Sequence, residues 1–250
     1  MYKGLEARLH DVFWDVEAGG VEYELICNHL GDSKERVLEI GCGSGRILLP
    51  LLEKGYQIDG NDVSEEMISM LKENLPKDAD TTIFLGNTLS QDISTYQHFL
   101  IPAFTFMLMT EEEGAETLAY LKSKAAPGAS LYLTIFMPWA EICGELEEDV
   151  SYKDHEAKNK DGSIAVCKTK FQIDRTYQKL QRQHKYILKQ ANGKREEQSA
   201  EQTLRWYSYQ EILLLLEKQG WQHDHTIFDL DPEAESQNSH IFTIIAKSTS

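Results

Sequence analysis

The ten residues Val37-Leu-Glu-Ile-Gly-Cys-Gly-Ser-Gly-Arg46 constrain the fold more than any other part of this chain. Val37 to Ile40 reads as a short apolar strand that runs into glycines. Leu48, Leu51 and Leu52 then recur at helical spacing, so a helix is expected over Arg46–Lys54, with Gly55 as its stop. Glycines between a strand and a helix permit a tight turn and let a ligand approach the backbone. The loop lacks the dinucleotide pattern G-x-G-x-x-G, because Arg46 stands where the last glycine is required. Taken alone, it also fits an ordinary glycine-rich turn.

The same rhythm continues beyond it. Strands are expected at 56–60, 81–85, in the first half of the apolar run 98–109, and at 129–136. Ser64 is placed to cap a helix with Glu65 and Glu66 in its first turn. Thr110 and Glu113 have the spacing of a capping box, and that helix is expected to stop before Pro127-Gly128. From Trp139 to Gln202 the chain is more polar. Residues 164–173 and 180–188 alternate like half-exposed strands, and Asn192-Gly193 signals a hairpin turn. Ser208 and Glu211 form a second capping box, and two last strands are expected at 221–228 and 240–246. Alternating βα units imply an α/β, doubly wound, mostly parallel sheet, with a small antiparallel insertion after the fifth strand. Such sheets bind ligands at the carboxyl ends of their strands.

Composition narrows the function classes. The 250 residues carry 41 Asp and Glu against 25 Lys and Arg, a formal net charge of −16. Duplex binding needs a basic face, so nucleic acid is not the expected partner. No stretch approaches the roughly 18 apolar residues of a membrane span, and no signal peptide is read at the N-terminus. The four cysteines are far apart with no Cys-x-x-Cys, so neither a structural zinc site nor a redox pair is expected, and a cytoplasmic location is.

Asp62 follows the second strand, about 20 residues beyond the glycines. A carboxylate there can accept both hydroxyl protons of a ribose. At this point NAD and S-adenosylmethionine both fit. The residues then resemble the class I S-adenosylmethionine-dependent methyltransferases. Val37 to Arg46 is similar to that family's first motif, and Gly60-Asn-Asp-Val-Ser-Glu-Glu-Met67 to its second. Lys122 to Thr134, with Ala-Pro-Gly inside, is similar to its helix-to-fifth-strand junction. The resemblance is greatest to the bacterial branch of sugar-amine and other small-molecule methyltransferases, which Leu204 to Ile212 and the acidic loop Asp229 to Glu235 also fit.

The resemblance implies the following roles. Glu39, Gly41, Cys42 and Gly43 would surround the methionine part of the cofactor, with Glu39 facing its amino group. Arg46 would pair with the methionine carboxylate or lie on the helix surface. Asp62 would hold the ribose, with Val63 and Met67 against the adenine. Asn87, Thr88 and Leu89 would approach the adenine edge, where the family often has Asp in place of Asn87. Ala103 and Phe104 would lie near the sulfonium, although the branch usually has Pro-Phe-Asn where this chain has Pro102-Ala-Phe-Thr105. Residues 1–35 would form an N-terminal helical lid, in which Phe13 and Trp14 would stack over the cofactor or simply pack on the core. Residues 36–138 and 203–250 would form the binding core, and 139–202 an insertion over the acceptor pocket.

The implied activity is methyl transfer to nitrogen or oxygen of a small molecule, releasing S-adenosylhomocysteine. An amine acceptor needs only an exposed lone pair, whereas a hydroxyl needs a base. His98, His223, His225 and His240 are candidates. His223-Asp224-His225 lacks a third ligand nearby, so no metal is expected. Lys168 to Arg195, with nine basic residues against one Asp, reads as a solvated hairpin face or a site for an anion. The insertion's edge strands could pair across a homodimer. An NAD-dependent oxidoreductase of similar topology and a non-catalytic cofactor-binding regulator or scaffold are the alternatives.

Overall fold

A computed structural model describes residues 2–17, 20–93, 95–159, 161–236 and 238–249, except the side chains of 14–17. In chain order the elements begin with α1 (Leu5–Glu17), α2 (Val21–Leu30), β1 (Val37–Ile40), α3 (Leu48–Glu53), β2 (Ile58–Asp62) and α4 (Glu65–Asn74). They continue with β3 (Ile83–Leu85), β4 (Tyr96–Ile101), α5 (Glu111–Ser123), β5 (Ala125–Phe136) and α6 (Trp139–Cys143). The antiparallel strands β6 (Tyr152–Lys158), β7 (Ile164–Asp174), β8 (Lys179–Lys189) and β9 (Arg195–Arg205) follow. The chain ends with α7 (Tyr209–Lys218), β10 (Trp221–Phe228) and β11 (Ile241–Ser248).

These elements form two compact units, one of 20–137 with 207–250, the other of 1–19 with 138–206. The first carries a seven-stranded sheet in the order β10-β11-β5-β4-β1-β2-β3. Every neighbouring pair from β5 to β3 is parallel, while β11 runs antiparallel to both β5 and β10. A dinucleotide-binding sheet of strand order 3-2-1-4-5-6 has no such reversed strand. The inserted β11 therefore separates this sheet from the oxidoreductase alternative. Val37, Leu38, Phe99 and Leu100 are all fully buried, so neighbouring residues on opposite faces are both in the core. Helices on both sides of a parallel sheet produce this continuous burial.

Local signals hold where they were read. Ser64 Oγ accepts from Met67 N, and Thr110–Glu113 and Ser208–Glu211 both close as reciprocal capping boxes. Asn192-Gly193 turns the chain from β8 into β9, with Gly193 at φ 85°. One junction differs from expectation. Pro127-Gly128 lies within β5 and does not merely precede it. The β4–β5 register jumps from Tyr96↔Ala125 to His98↔Ser130, so this pair falls where the ladder is interrupted and proline's missing N–H costs no bond.

The second unit is the antiparallel sheet β6-β7-β8-β9 with α1 against it. Leu5, Leu9 and Phe13 of α1 pack with Ala157, Ala165, Cys167 and Tyr186 of the sheet. Burial along β7 nearly alternates, as one covered face requires. Many of the basic residues read between Lys168 and Arg195 belong to this sheet, where Lys185 and Arg195 pair with Glu197 and Lys194 with Glu196. The N-terminal segment 1–35 is divided, with α1 in this unit and α2 in the other.

Candidate functional site

Four adjacent parallel strands, β4-β1-β2-β3, end at one edge of the seven-stranded sheet, and their loops carry most of the expected site residues. The loop after β1 is held from below by Asn61 O, which accepts from Gly41 N at 2.7 Å and Cys42 N at 3.0 Å. Gly41 has φ 76°, and a Cβ there would collide with Thr105 in the loop after β4. Glycine is thus required both by backbone conformation and by the close approach of two loops. The Cys42 side chain turns inward. A Cβ on Gly60 would come within 2.8 Å of its sulfur, and burial holds its thiol well above its ordinary pKa. Cys42 can therefore offer a ligand only its backbone.

Asp62, at the end of β2, locks this loop. Its Oδ2 accepts from Gly43 N at 2.9 Å and its Oδ1 from Ser64 N at 2.7 Å. The side chain is half-buried, and each oxygen keeps lone-pair capacity for a ligand hydroxyl. Met67, buried in the first turn of α4, lies beneath Gly43, with Cε 3.2 Å from where a Cβ would sit. Val63 is exposed beside it. After β3, Thr88 gives its hydroxyl to Asn61 Oδ1 at 2.5 Å. Asn87 Oδ1 accepts from Leu89 N at 2.8 Å, so the oxygen expected to meet an adenine amino group already caps its own turn and has one acceptance left.

Glu39 is 2% exposed, and its Oε2 has no hydrogen-bond partner among the described residues. Burial pushes its pKa up to about 8; Arg46 opposes the shift, and Glu22 and Asp62 add to it. An unpartnered carboxylate oxygen at a strand end is costly unless a donor or cation completes it. Arg46 is half-buried, and its charge acts on this acid pair.

Glu22 is the residue that the sequence reading missed. It lies in the first turn of α2, 1% exposed, and burial raises its pKa. Its Oε1 accepts from Ala103 N at 3.2 Å, and its carboxyl also bonds the Thr134 side chain. Glu22 shares the helix face of Leu25 and Ile26, an acidic residue at a buried helical spacing, which was the available signal. The backbone it holds is strained, since Ala103 and Phe104 are both left-handed, at φ 53° and 61°. The Phe104 ring meets Phe136 edge-on at 4.9 Å.

The histidines separate. His223 and His225 are exposed on the edge strand β10, where His223 meets Thr226 Oγ1 at 2.9 Å and His225 meets Asp224 at 3.2 Å. His98 lies at the amino end of β4, opposite the glycine loop. His240 is exposed just before β11, next to the carboxyl end of β5, and its N–H donates to Asp229 Oδ1 at 2.7 Å. It is the one expected histidine at the loop edge. The Trp14 side chain lies outside the described residues.

The site suits a ligand bearing a cationic amine and a ribose. The orphaned Glu39 Oε2 calls for the first, and the fixed Asp62 carboxylate for the second. Residues 37–128 match the family model described as a methyltransferase domain. An uncharacterised methyltransferase of Alkaliphilus oremlandii is 30% identical over 99 residues, 39% of this chain and 44% of that protein. The chain spans about half, or less, of the length of the curated relatives it matches. An S-adenosylmethionine-dependent methyltransferase from Clostridium acetobutylicum has the same fold, with a TM-score of 0.78 at 12% identity over 98% of each chain. The sugar N-methyltransferase KedS8 from Streptoalloteichus gives 0.71 at 15% identity over 96% of this chain and 93% of its own. Residues 37–128 are therefore similar to a methyltransferase domain, and the chain shares the Rossmann-like fold of solved S-adenosylmethionine-dependent methyltransferases.

Proposed function

We propose that the protein is an enzyme that transfers a methyl group from S-adenosylmethionine to nitrogen or oxygen of a small-molecule acceptor. The observation that carries this reading is the placement of a preset carboxylate, Asp62, and a buried one, Glu39, whose Oε2 lacks a hydrogen-bond partner among the described residues, about one glycine loop. When bound, the cofactor supplies a sulfonium-activated methyl group. Asp62 would accept from both ribose hydroxyls, and Glu39 Oε2 would receive the amino group. The N–H groups of Gly41, Cys42, Gly43 and Gly45 are already donated within the protein, so the loop would contribute close approach rather than hydrogen bonds. Ala103 and Phe104 would border the reacting methyl, with Glu22 fixing their backbone. Holding a nucleophile about 3 Å from that methyl group is the main task left to the protein. An amine would need no base, and for a hydroxyl acceptor His240 is the better placed candidate.

The acceptor class draws support from the likeness to KedS8, a sugar N-methyltransferase, and from the net charge of −16, which disfavours nucleic acid. None of the four cysteines forms a disulfide, and no helix among the described residues is long and apolar enough to cross a membrane. Both fit the expected cytoplasmic setting. A non-catalytic cofactor binder is the second reading, favoured by the left-handed Ala103-Phe104 pair where the resembling branch has Pro-Phe-Asn.

Calorimetric titration with S-adenosylmethionine, S-adenosylhomocysteine and NAD tests the class. Binding of the two sulfur compounds with silence toward NAD is expected, and NAD binding alone would overturn the reading. Release of S-adenosylhomocysteine with an amino-sugar panel then separates enzyme from binder.

A further inference from the structure

The antiparallel unit carries a cluster that the methyltransferase reading does not use. Asp154 of β6, Cys167 of β7 and His184 of β8 bring one carboxylate oxygen, one sulfur and one ring nitrogen within 4.8 Å of one another. Cys167 Sγ stands 3.8 Å from His184 Nδ1. Two ligands at tetrahedral angles on zinc, with bonds of about 2.3 Å to sulfur and 2.0 Å to nitrogen, would be about 3.5 Å apart. The pair is therefore near ligating separation in the protein as it stands.

Two independent features aim these groups at one point. The first is a register irregularity in β6. Lys153 pairs with Lys168 and His155 with Cys167, so Asp154 is the extra residue of a bulge. In regular alternation Asp154 and His155 would face opposite ways, and a bulge re-aims such a side chain. The second concerns the imidazole. The Gln202 side chain bonds the His184 ring while its amide nitrogen donates to Tyr2 Oη at 3.3 Å. With Nδ1 turned to Thr169 and Cys167, the Gln202 contact falls to Nε2, where the Gln202 carbonyl oxygen can accept from Nε2–H and leave the lone pair on Nδ1. Nδ1 faces Thr169 Oγ1 at 2.7 Å as well as the sulfur. A ligating histidine is commonly oriented by an outer acceptor on its other nitrogen in this way. Cys167 is buried and Asp154 exposed, which gives the cluster a covered floor and an open entrance.

We propose that Asp154, Cys167 and His184 form a binding site for a divalent zinc-like metal ion, clipping β6, β7 and β8 together. Thiolate with imidazole selects a zinc-type ion over magnesium or calcium. Cys167 would bind as thiolate, its proton passing to solvent, and His184 through Nδ1 after the Thr169 hydroxyl swings away. The carboxylate of Asp154 would be the third ligand and water the fourth. No sequence motif marks this site, because its three ligands lie on three strands, 13 and 17 residues apart, without a metal-binding spacing.

The test is titration of the full chain with zinc chloride and, separately, with cobalt(II). One equivalent should bind at micromolar concentration or below, cobalt should show a thiolate charge-transfer band, and zinc should raise the melting temperature. Cys167→Ala should abolish the band. Asp154→Asn, an exposed change that does not threaten the fold, should weaken binding at least 10-fold and remove the thermal shift. Millimolar binding only, no thiolate band, or affinity unchanged in Asp154→Asn and Cys167→Ala would overturn the proposal. The last result would assign the ion to a surface group such as Asp224 with His225.

Discussion

The two ends of the seven-stranded sheet are built from similar residue types and solve opposite problems. At the amino end, buried Asp59 pairs with Arg36, accepts from Tyr96 Oη at 2.7 Å and takes Thr82 N at 2.6 Å. Ser130 Oγ sits between His98 Nδ1 at 2.8 Å and His29 Nε2 at 2.9 Å, and His98 Nε2 reaches Ser33 Oγ at 3.0 Å. Polar groups there are matched within the protein. At the carboxyl end, Glu39 Oε2 has no hydrogen-bond partner among the described residues, burial raises the pKa of both Glu22 and Glu39, and two residues in succession are left-handed. Satisfied networks serve stability, whereas an unsatisfied and strained set persists where a ligand completes it.

The sharpest way to break this contrast is to remove one aspartate from each end. Asp62→Ala should weaken cofactor binding by roughly 2–5 kcal/mol, about 30- to several thousand-fold, through loss of two charge-assisted bonds. Unchanged affinity by calorimetry in a folded variant would remove Asp62 from the site. Asp59→Ala should do the reverse. It strands Arg36, Tyr96 and Thr82 and should cost about 3 kcal/mol in urea unfolding, leaving cofactor affinity alone.

Acid separates the ends as well. Burial lowers the pKa of His29 to about 4, with His98 adding to the shift, and burial lowers His98 itself. The unfolded chain takes up a proton near pH 6.5 that the fold refuses. The contribution of His29 is therefore fully present above pH 6.5 and falls as pH drops toward 4, by about 3 kcal/mol. Glu39 works in the opposite sense, because its raised pKa favours the folded state at low pH and costs stability as pH climbs from 4.5 through about 8. The difference in urea midpoint between the protein and His29→Gln, followed from pH 7 to 4.5, isolates the histidine. An unchanged difference across that range would show that the imidazole titrates normally.

Glu39→Gln should then raise stability above pH 8 by about 1 kcal/mol while cofactor affinity falls, the mark of a group kept for binding. A drop in both would make Glu39 a structural residue. The smallest effect belongs to the helix caps. Thr110→Ala and Ser208→Ala should each cost about 1 kcal/mol, without any change at either end of the sheet.

Much of the fold and part of the site were legible in the sequence because the signals are local. The glycine loop, the Ser64 cap, the two capping boxes and the Asn192-Gly193 turn are each set within a few residues. Their short-range sterics and hydrogen bonds are the same in any context. Strand limits were less readable. Pro127-Gly128 looks like punctuation until β4 leaves its partners unpaired. The edge strand β9, Arg-Glu-Glu-Gln-Ser-Ala-Glu-Gln-Thr-Leu-Arg, is too polar to show a hydrophobic period, as the edge of a sheet allows.

What the sequence alone determined is the α/β class, the order of the βα units and the position of Asp62 after its glycine loop. Only the tertiary structure decided that Glu22, 81 residues from Ala103, would hold the end of β4, and that β11 would enter the sheet reversed between β5 and β10. The same holds for a bulge at Asp154 that turns a carboxylate toward Cys167 and His184. Such placements depend on pairing between distant segments, whose energy comes from burial shared across the whole core. A local pattern fixes a segment's conformation, while its neighbours are chosen by the packing of everything else.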